Sequence, residues 1–186
     1  MKRFFDLLLG LICAAAFLLP LILISIIIRL TSEGPSLYWS NRVGIDKRIF
    51  RMPKFRTMRI DTPQKATHLL NNPESFYTPV GKFLRETSLD EIPQLWSIII
   101  GDMSFVGPRP ALYNQDDLIN LRDKKGIHKL QPGLTGWAQI NGRDDLSIEK
   151  KVVFDEEYLS KASFFFDILI IIRTIFKIFK KSGISH

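Results

Sequence analysis

We place the chemistry of this sequence at two adjacent carboxylates, Asp90 and Glu91. A carboxylate can serve as a nucleophile or as a general base. Ser88 and Glu91 also fit a capping box at a helix start, although Pro93 allows that start to fall a few residues later. Because acids in a first helical turn are ordinary capping residues, local spacing alone does not make the pair catalytic.

A second candidate is Arg109, which lies between Pro108 and Pro110 in the segment 101–110. Gly107 permits a tight turn or a close backbone approach, and the prolines hold the arginine in a stiff extended segment. A guanidinium fixed in this way suits a bidentate phosphate contact. A structural turn would explain the glycine and prolines but not the arginine between them.

Residues 47–60 form a basic strip without an acid. Alternation along the strip predicts short strands, with Pro53 at an edge or bend. Some of its side chains could contact phosphate, or the strip could be a solvated face attracted to anionic headgroups. Nucleic-acid binding is disfavoured because no nucleic-acid motif accompanies the charge. The basic residues are Lys47, Arg48, Arg51, Lys54, Arg56 and Arg59.

Two further segments are rich in turn residues. Residues 131–143 are either a turn leading into a strand or a pocket wall carrying Trp137 and Arg143. Residues 61–76 are polar and predict a surface loop or a short helix with a turn.

The N-terminal segment must hold these residues near a membrane. Residues 7–28 carry no charge and would form a helix of about 33 Å, long enough to span a bilayer but too long for a signal peptide. Pro20 removes one backbone bond and clashes with the carbonyl of Ala16, so we expect a kink or break. Both flanks are basic, which favours the cytoplasmic side for both. A spanning helix and a re-entrant helix both fit.

The C-terminal segment 164–181 has helical periodicity with two faces. This pattern predicts an interfacial amphipathic helix, basic toward water and apolar toward lipid. A core helix and a homodimer interface are the alternatives. The polar face holds Arg173, Thr174, Lys177, Lys180 and Lys181, and the apolar face holds Ile171, Ile172, Ile175, Ile178 and Phe179.

Composition narrows the function classes. The formal charge of +7 over 186 residues calls for an acidic partner, and the length indicates a single domain. The single cysteine, Cys13, excludes a disulfide framework, and His68, His128 and His186 lack zinc-ligand spacing. No Walker A, dinucleotide or nucleophile-elbow motif occurs.

Four blocks in order make the chain resemble the monotopic phosphoglycosyl transferases, the bacterial sugar transferase family. Its length resembles the minimal catalytic form, and it looks most similar to enzymes that start glycoconjugates with an N-acetylated, often dideoxy, amino sugar. The sequence departs from the family at Leu19, where many relatives carry serine, and at Val43, where proline is common. The blocks are residues 54–58, 88–95, 101–110 and 132–139.

The resemblance implies an α+β fold of one membrane-associated domain, residues 1–186. Residues 1–30 would be a re-entrant membrane helix broken at Pro20, 31–160 the catalytic region, and 161–186 the interfacial helix. The chain would lie in the bacterial inner membrane with its catalytic region on the cytoplasmic face.

The resemblance also implies a mechanism. Asp90 would attack the β-phosphate of a UDP-sugar and expel UMP, and undecaprenyl phosphate would then attack the aspartyl-phosphosugar. Mg²⁺ would be held by Asp90 and Glu91, and Glu91 could instead be a general base or a helix cap. The expected phosphate-binding residues are Lys54, Arg56, Arg109 and Arg143.

Two other functions compete with this one. A membrane-associated glycosyltransferase would transfer the sugar without its phosphate and release UDP. A membrane-anchored basic binding module would release no nucleotide.

Overall fold

The computed structural model describes residues 1–63, 73–142 and 146–179. Helices and short strands are mixed along the chain, which confirms the α+β class. The helices are α1 (Lys2–Ala16), α2 (Leu18–Thr31), α3 (Gly81–Glu86), α4 (Leu95–Ile100), α5 (Asp116–Lys124), α6 (Trp137–Asn141), α7 (Ile148–Lys161) and α8 (Phe164–Phe179). The strands are β1 (Leu37–Val43), β2 (Ile49–Phe55), β3 (Ser104–Val106) and β4 (Gly133–Thr135).

The apolar N-terminal segment is broken, as Pro20 predicts. α1 and α2 meet at Phe17 with a bend of 58°. Proline cannot donate to the carbonyl of Ala16 four residues earlier, so the first helix ends at that residue. No single helix in the described part of the chain is both long and apolar enough to cross a membrane. The bent pair of α1 and α2 has the required length and composition when the two helices are taken together.

Two charged residues at the start of α1 dock it onto the rest of the domain. Arg3 donates to the carbonyls of Ile98 and Ile99, at 2.5 and 2.7 Å, and so caps the C-terminal end of α4. Cations are favoured there because the last carbonyls of a helix lack backbone partners. Asp6 is buried and accepts from the backbone amide of Phe105 at 3.1 Å. The N-terminal helix α1 is therefore attached directly to the segment that leads to Arg109.

β1 and β2 form an antiparallel hairpin, with Leu37 opposite Phe55 and Val43 opposite Ile49. The strands predicted around Pro53 are thus one continuous strand. Proline is tolerated in it because each strand of a two-stranded ladder is an edge strand. The hairpin packs on the 3₁₀ turn Leu89–Gln94, which carries the acidic pair.

β3 and β4 are parallel, and two glycines, Gly107 and Gly133, let the backbones near these strands approach closely. The amide of Gly107 donates to Thr135, and that of Gly133 donates to Pro108, both at 2.9 Å. A Cβ on Gly107 would lie 2.2 Å from the carbonyl oxygen of Gln131, so a larger residue cannot fit. These two backbone hydrogen bonds fix the position of Pro108, which follows β3.

α8 packs one side against the domain and exposes the other. Ile170 is fully buried, and the hydroxyls of Thr174 and Thr135 lie 2.7 Å apart. Phe165 is 84% exposed and Phe176 is 65% exposed. The helix is therefore amphipathic as predicted, but Thr174 faces the protein rather than water. Lys180, Lys181 and the side chains of Ile178 and Phe179 lie outside the described residues.

A partly buried polar cluster joins α1, near the start of the chain, to α7 and α8. The Nζ of Lys2 donates to a carboxylate oxygen of Asp167 at 2.5 Å and to the carbonyl of Val106 at 3.0 Å. The hydroxyl of Tyr158 donates to the other oxygen of Asp167 at 2.7 Å. Burial and the neighbouring carboxylate raise the pKa of Tyr158, which keeps it protonated. The cluster ties α1, α7 and α8 together beside β3.

Candidate active site

Asp90 and Glu91 lie in the 3₁₀ turn that precedes α4. Ser88 adopts a left-handed conformation with φ of 57°, and its side chain makes no capping bond within the described residues. The capping-box prediction is therefore wrong, because the side chain of Glu91 is used elsewhere. The alternative of a later α-helical start is right, since α4 begins at Leu95, two residues after Pro93.

Glu91 is held by two cations. Lys54 Nζ and Arg109 Nη2 each donate to Glu91 Oε1 at 2.9 Å. The side chain of Glu91 is 19% exposed. Burial opposes its ionisation, but Arg109 and Lys54 outweigh burial and hold the pKa of Glu91 well below its usual range. Glu91 is therefore ionised at neutral pH and brings Lys54 and Arg109 together.

The pKa of Asp90, the neighbouring carboxylate, is shifted in the opposite direction. It is 7% exposed, and burial raises its pKa to about 6. The charge of Glu91 acts in the same direction, while Lys54, Arg85 and Arg109 oppose it. At neutral pH the carboxylate is thus mostly ionised, poorly solvated and close to positive charge. A nucleophile attacking an anionic phosphate needs these properties.

Two arginines lie near the acidic pair, although no pattern in the sequence predicts that they belong to the site. Arg85, on α3, donates to the Thr57 hydroxyl at 3.0 Å and stacks over the Tyr77 ring at 5.3 Å. Arg42, on β1, donates to the carbonyl of Pro110 at 3.1 Å. Burial and the charge of Arg109 lower the pKa of Arg42, yet arginine stays protonated at neutral pH. Both lie outside the glycine- and proline-rich blocks, so only tertiary contact reveals them.

The structure separates the four expected phosphate-binding residues. Lys54 and Arg109 meet at Glu91. Arg56 is instead buried against the end of α2, where it donates to the carbonyl and hydroxyl of Ser32 and to the carbonyl of Glu33. Along a regular strand, Lys54 and Arg56 would lie on the same face because they are two residues apart. β2 ends at Phe55, so this alternation does not extend to Arg56, and its side chain points elsewhere.

Two expected residues of the segment 131–143 remain, Trp137 and Arg143. Arg143 falls outside the described residues. The indole of Trp137 donates to Glu157 at 2.6 Å and its ring packs on Phe166. Trp137 therefore braces α6 against α7 and α8. The predicted turn into a strand is confirmed, since β4 begins at Gly133, and the alternative of a pocket wall stays a prediction.

The acidic pair fits Mg²⁺ only as a partial ligand set. Within the described residues no group of three or more acidic, histidine or cysteine side chains converges on one point. Mg²⁺ usually takes one or two carboxylates and fills its other positions with water and substrate phosphates. Asp90 and the second oxygen of Glu91 match that requirement, because only one oxygen of Glu91 is engaged by Lys54 and Arg109.

A buried carboxylate with a raised pKa, beside an anion that gathers two cations, marks this cluster as the candidate active site. The family model described as bacterial sugar transferase matches residues 1–181, and the chain belongs to this family. This confirms the resemblance that the four sequence blocks carry.

Three relatives illustrate the similarity. The uncharacterized sugar transferase EpsL of Bacillus subtilis is 38% identical over 191 residues, which cover 100% of this chain and 91% of EpsL. The UDP-glucose:undecaprenyl-phosphate glucose-1-phosphate transferase of Escherichia coli K12 is 38% identical over 95% of this chain and 40% of the relative. The UDP-N-acetylgalactosamine-undecaprenyl-phosphate N-acetylgalactosaminephosphotransferase of Aeromonas hydrophila is 33% identical over 94% and 42%, respectively. The chain thus spans about two fifths of the length of these last two proteins.

Proposed function

We propose that this chain transfers a sugar-1-phosphate from a UDP-sugar to undecaprenyl phosphate and releases UMP. The observation that carries the proposal is the buried Asp90 beside Glu91, whose single oxygen Oε1 holds both Lys54 and Arg109 at 2.9 Å. The names of the Escherichia coli and Aeromonas hydrophila relatives, both undecaprenyl-phosphate sugar phosphotransferases, support it.

In the first step a carboxylate oxygen of Asp90 attacks the β-phosphorus of the UDP-sugar. The bond between that phosphorus and the oxygen bridging to the α-phosphate breaks, and UMP leaves with the bonding electrons. Asp90 then carries the sugar phosphate as an acyl phosphate. Burial supports this role because a poorly solvated carboxylate is more nucleophilic than a hydrated one.

In the second step a phosphate oxygen of undecaprenyl phosphate attacks the same phosphorus. The acyl phosphate bond breaks, the carboxylate of Asp90 is restored, and the product is a lipid diphosphate-sugar. Two displacements at one phosphorus replace a single reaction between two large anions.

Charge neutralisation is the main demand on the site, since anionic phosphates must approach an anionic carboxylate. Lys54 and Arg109 are each hydrogen-bonded to Glu91. Their charged groups can therefore move to nearby phosphate oxygens without any change in the backbone of the site. Arg85 supplies a third charge close enough to act on the pKa of Asp90. We assign Glu91 the role of organising these cations and, with Asp90, of holding Mg²⁺, which would neutralise phosphate charge when bound.

We further propose that α1 and α2 form a re-entrant hairpin in the bacterial inner membrane, with the catalytic region on the cytoplasmic face. The 58° bend and the row of exposed apolar side chains on both helices support this placement. The exposed face of α8 would rest on the same membrane. The active site would then lie at the headgroup plane, where the phosphate of undecaprenyl phosphate is found.

Nucleotide release separates this function from its rivals. The purified full chain is incubated with Mg²⁺, undecaprenyl phosphate and a UDP-sugar, and the nucleotide is identified by chromatography. UMP supports the proposal, whereas UDP indicates a simple glycosyltransferase and no release indicates a binding module. Without the lipid, UMP release equal to the amount of enzyme, together with a sugar-phosphate adduct on Asp90, would establish the covalent intermediate.

The sugar is a separate question. The sequence resemblance favours an N-acetylated amino sugar, while the names of relatives include glucose in Escherichia coli and N-acetylgalactosamine in Aeromonas hydrophila. A panel of UDP-glucose, UDP-galactose, UDP-N-acetylhexosamines and their dideoxy amino derivatives decides between them. The proposal expects the highest kcat/KM with an N-acetylated amino sugar, and faster turnover of UDP-glucose contradicts it.

A further inference from the structure

Arg122, on α5, reaches across the domain to the backbone of the proposed phosphate-binding arginine. Its Nη1 donates to the carbonyl of Arg109 at 2.8 Å. Its Nε and Nη2 both donate to Asp155 Oδ2, at 2.9 and 2.6 Å. Asp155 lies on α7 and is 1% exposed, and the side chain of Arg122 is 12% exposed. The three bonds use the planar guanidinium as a fixed fork.

A buried ion pair alone does not account for this geometry. Asp155 alone would neutralise the charge of Arg122. The third hydrogen bond of Arg122 nevertheless goes to the carbonyl of Arg109, whose side chain pairs with Glu91. Pro110 restricts the backbone of Arg109, and the bond to the Arg109 carbonyl orients the peptide unit that joins these two residues. The direction in which the Arg109 side chain leaves the backbone depends on that orientation.

Arg122 also borders the segment that carries Arg109. A pocket of about 40 Å³ lies beside this segment, and its lining includes Arg122 and the buried prolines Pro108 and Pro110. Arg122 and the two prolines that flank Arg109 thus line the same pocket, so a change at Arg122 acts close to the backbone of Arg109.

We propose that Arg122 and Asp155 are positioning residues for the donor phosphates, acting through the backbone of Arg109. The pair does not touch the substrate. It holds the peptide of Arg109 so that the guanidinium points at Glu91 and, in turnover, at a phosphate of the UDP-sugar. This inference rests on the proposed function and adds to it a second layer of residues, on α5 and α7.

The main test is the conservative substitution Arg122→Lys. A lysine can bind Asp155 but cannot also reach the Arg109 carbonyl with the same rigid geometry. We expect kcat/KM for the UDP-sugar to fall roughly 10-fold to 100-fold, the loss that misplacement of a binding group by about 1 Å produces. Asp155→Asn keeps the shape of the side chain and releases Arg122, so it should cause a smaller loss. It also serves as the test variant if Arg122→Lys does not fold.

A double-mutant cycle separates positioning from general stability. In an Arg109→Ala background the side chain that Arg122 positions is gone. Arg122→Lys should then change kcat/KM by less than about 2-fold, because the two substitutions remove the same interaction. If the two losses multiply instead, Arg122 acts on the fold and not through Arg109, and the inference is overturned.

The chain offers a matched control in Lys125 and Glu156. This exposed ion pair, 3.1 Å long, also joins the α5 and α7 region but does not touch Arg109. The double variant Lys125→Met with Glu156→Gln should keep kcat/KM within about 2-fold of wild type, since exposed pairs contribute little. A loss as large as that of Arg122→Lys overturns the inference.

A measurement without substrate separates failure of the inference from failure of the proposed function. Hydrogen–deuterium exchange of peptides covering residues 105–112 should be faster in Arg122→Lys than in wild type and in the Lys125 and Glu156 control. Unchanged exchange contradicts positioning by Arg122, whatever the reaction is. Faster exchange in an enzyme that releases UDP rather than UMP keeps the positioning contact and refutes the proposed reaction.

Discussion

The guanidinium of Arg109 lies 2.9 Å from the carboxylate of Glu91. This contact joins two segments that are 18 residues apart in the chain, the proline-flanked segment after β3 and the 3₁₀ turn before α4. It places a cation beside Asp90 before any substrate binds. Preorganised charge of this kind costs no rearrangement when a phosphate arrives.

Asp90→Asn should abolish transfer without harming the fold. The amide keeps the shape of the side chain but cannot form the phosphosugar adduct, so turnover should fall on the order of 10³-fold or more. Since the raised pKa of Asp90 means that its charge is destabilising above about pH 6, the melting temperature at pH 8 should stay the same or rise. UMP release and thermal unfolding measure the two effects. Asp116→Asn, at an exposed position on α5, is the control, and near wild-type turnover by Asp90→Asn would refute the role.

Glu91→Gln should lower both stability and activity. The neutral amide leaves Lys54 and Arg109 without their shared anion, which should cost about 1–3 kcal/mol of unfolding free energy near neutral pH. The pKa of Glu91 is depressed in the folded protein, so its contribution is complete above the ordinary value of 4.5 and is lost as pH falls through the folded-state pKa. Denaturant unfolding of both proteins at several pH values checks this. A stability difference that grows on acidification contradicts it.

The pH dependence of the reaction should report Asp90. A nucleophilic carboxylate must be ionised, so kcat/KM should rise with pH through an acid limb with an apparent pKa of about 6. Lys54→Met should move that limb to higher pH, because Lys54 lowers the pKa of Asp90. Lys82→Met removes an exposed lysine paired with Glu74 and should leave the limb in place. A limb that moves equally in both variants argues against Asp90 as its origin.

Pro20→Ala should change the membrane topology. With the backbone bond to Ala16 restored, residues 2–31 can form a continuous helix of about 45 Å, enough to span a bilayer. In a Cys13→Ser background, single cysteines placed before Met1 and at position 33 test which side each end occupies. The parent protein should be labelled at both positions from the cytoplasmic side only, and Pro20→Ala should gain molecules with the ends on opposite sides.

The same substitution should lower activity, because an N-terminus on the far side cannot deliver Arg3 to the end of α4. Pro35→Ala, in the exposed loop after α2, is the control and should behave like the parent protein. Labelling of the parent from both sides would contradict the re-entrant arrangement.

Local patterns were sufficient for several elements. The break near Pro20, the strand structure on both sides of Pro53 and the amphipathic character of α8 follow from steric exclusion, strand alternation and helical periodicity, which act over a few residues. The sequence predicted less well the residues at which these elements begin and end. The break falls at Phe17 because the missing bond belongs to the carbonyl of Ala16, and the acidic pair begins a 3₁₀ turn rather than an α-helix.

Charged residues were harder to assign, because their roles depend on partners distant in the chain. Lys54 and Arg56 stand two residues apart in one basic strip, yet one reaches Glu91 and the other the end of α2. Arg3 precedes the apolar N-terminal segment, and the sequence therefore predicts that its charge flanks a membrane. In the structure Arg3 caps the C-terminal end of α4. Electrostatic pairing is non-local, so no periodicity encodes it.

By itself the sequence determined the family, the acidic pair and the two apolar ends, since each is carried by contiguous residues whose chemistry is readable in order. Only the tertiary structure decided the state of the pair. It buries Asp90, gives Glu91 two cations from β2 and the segment after β3, and brings α5 and α7 behind Arg109. A carboxylate becomes a nucleophile or a clamp according to its burial and its charged neighbours, and the fold alone supplies both.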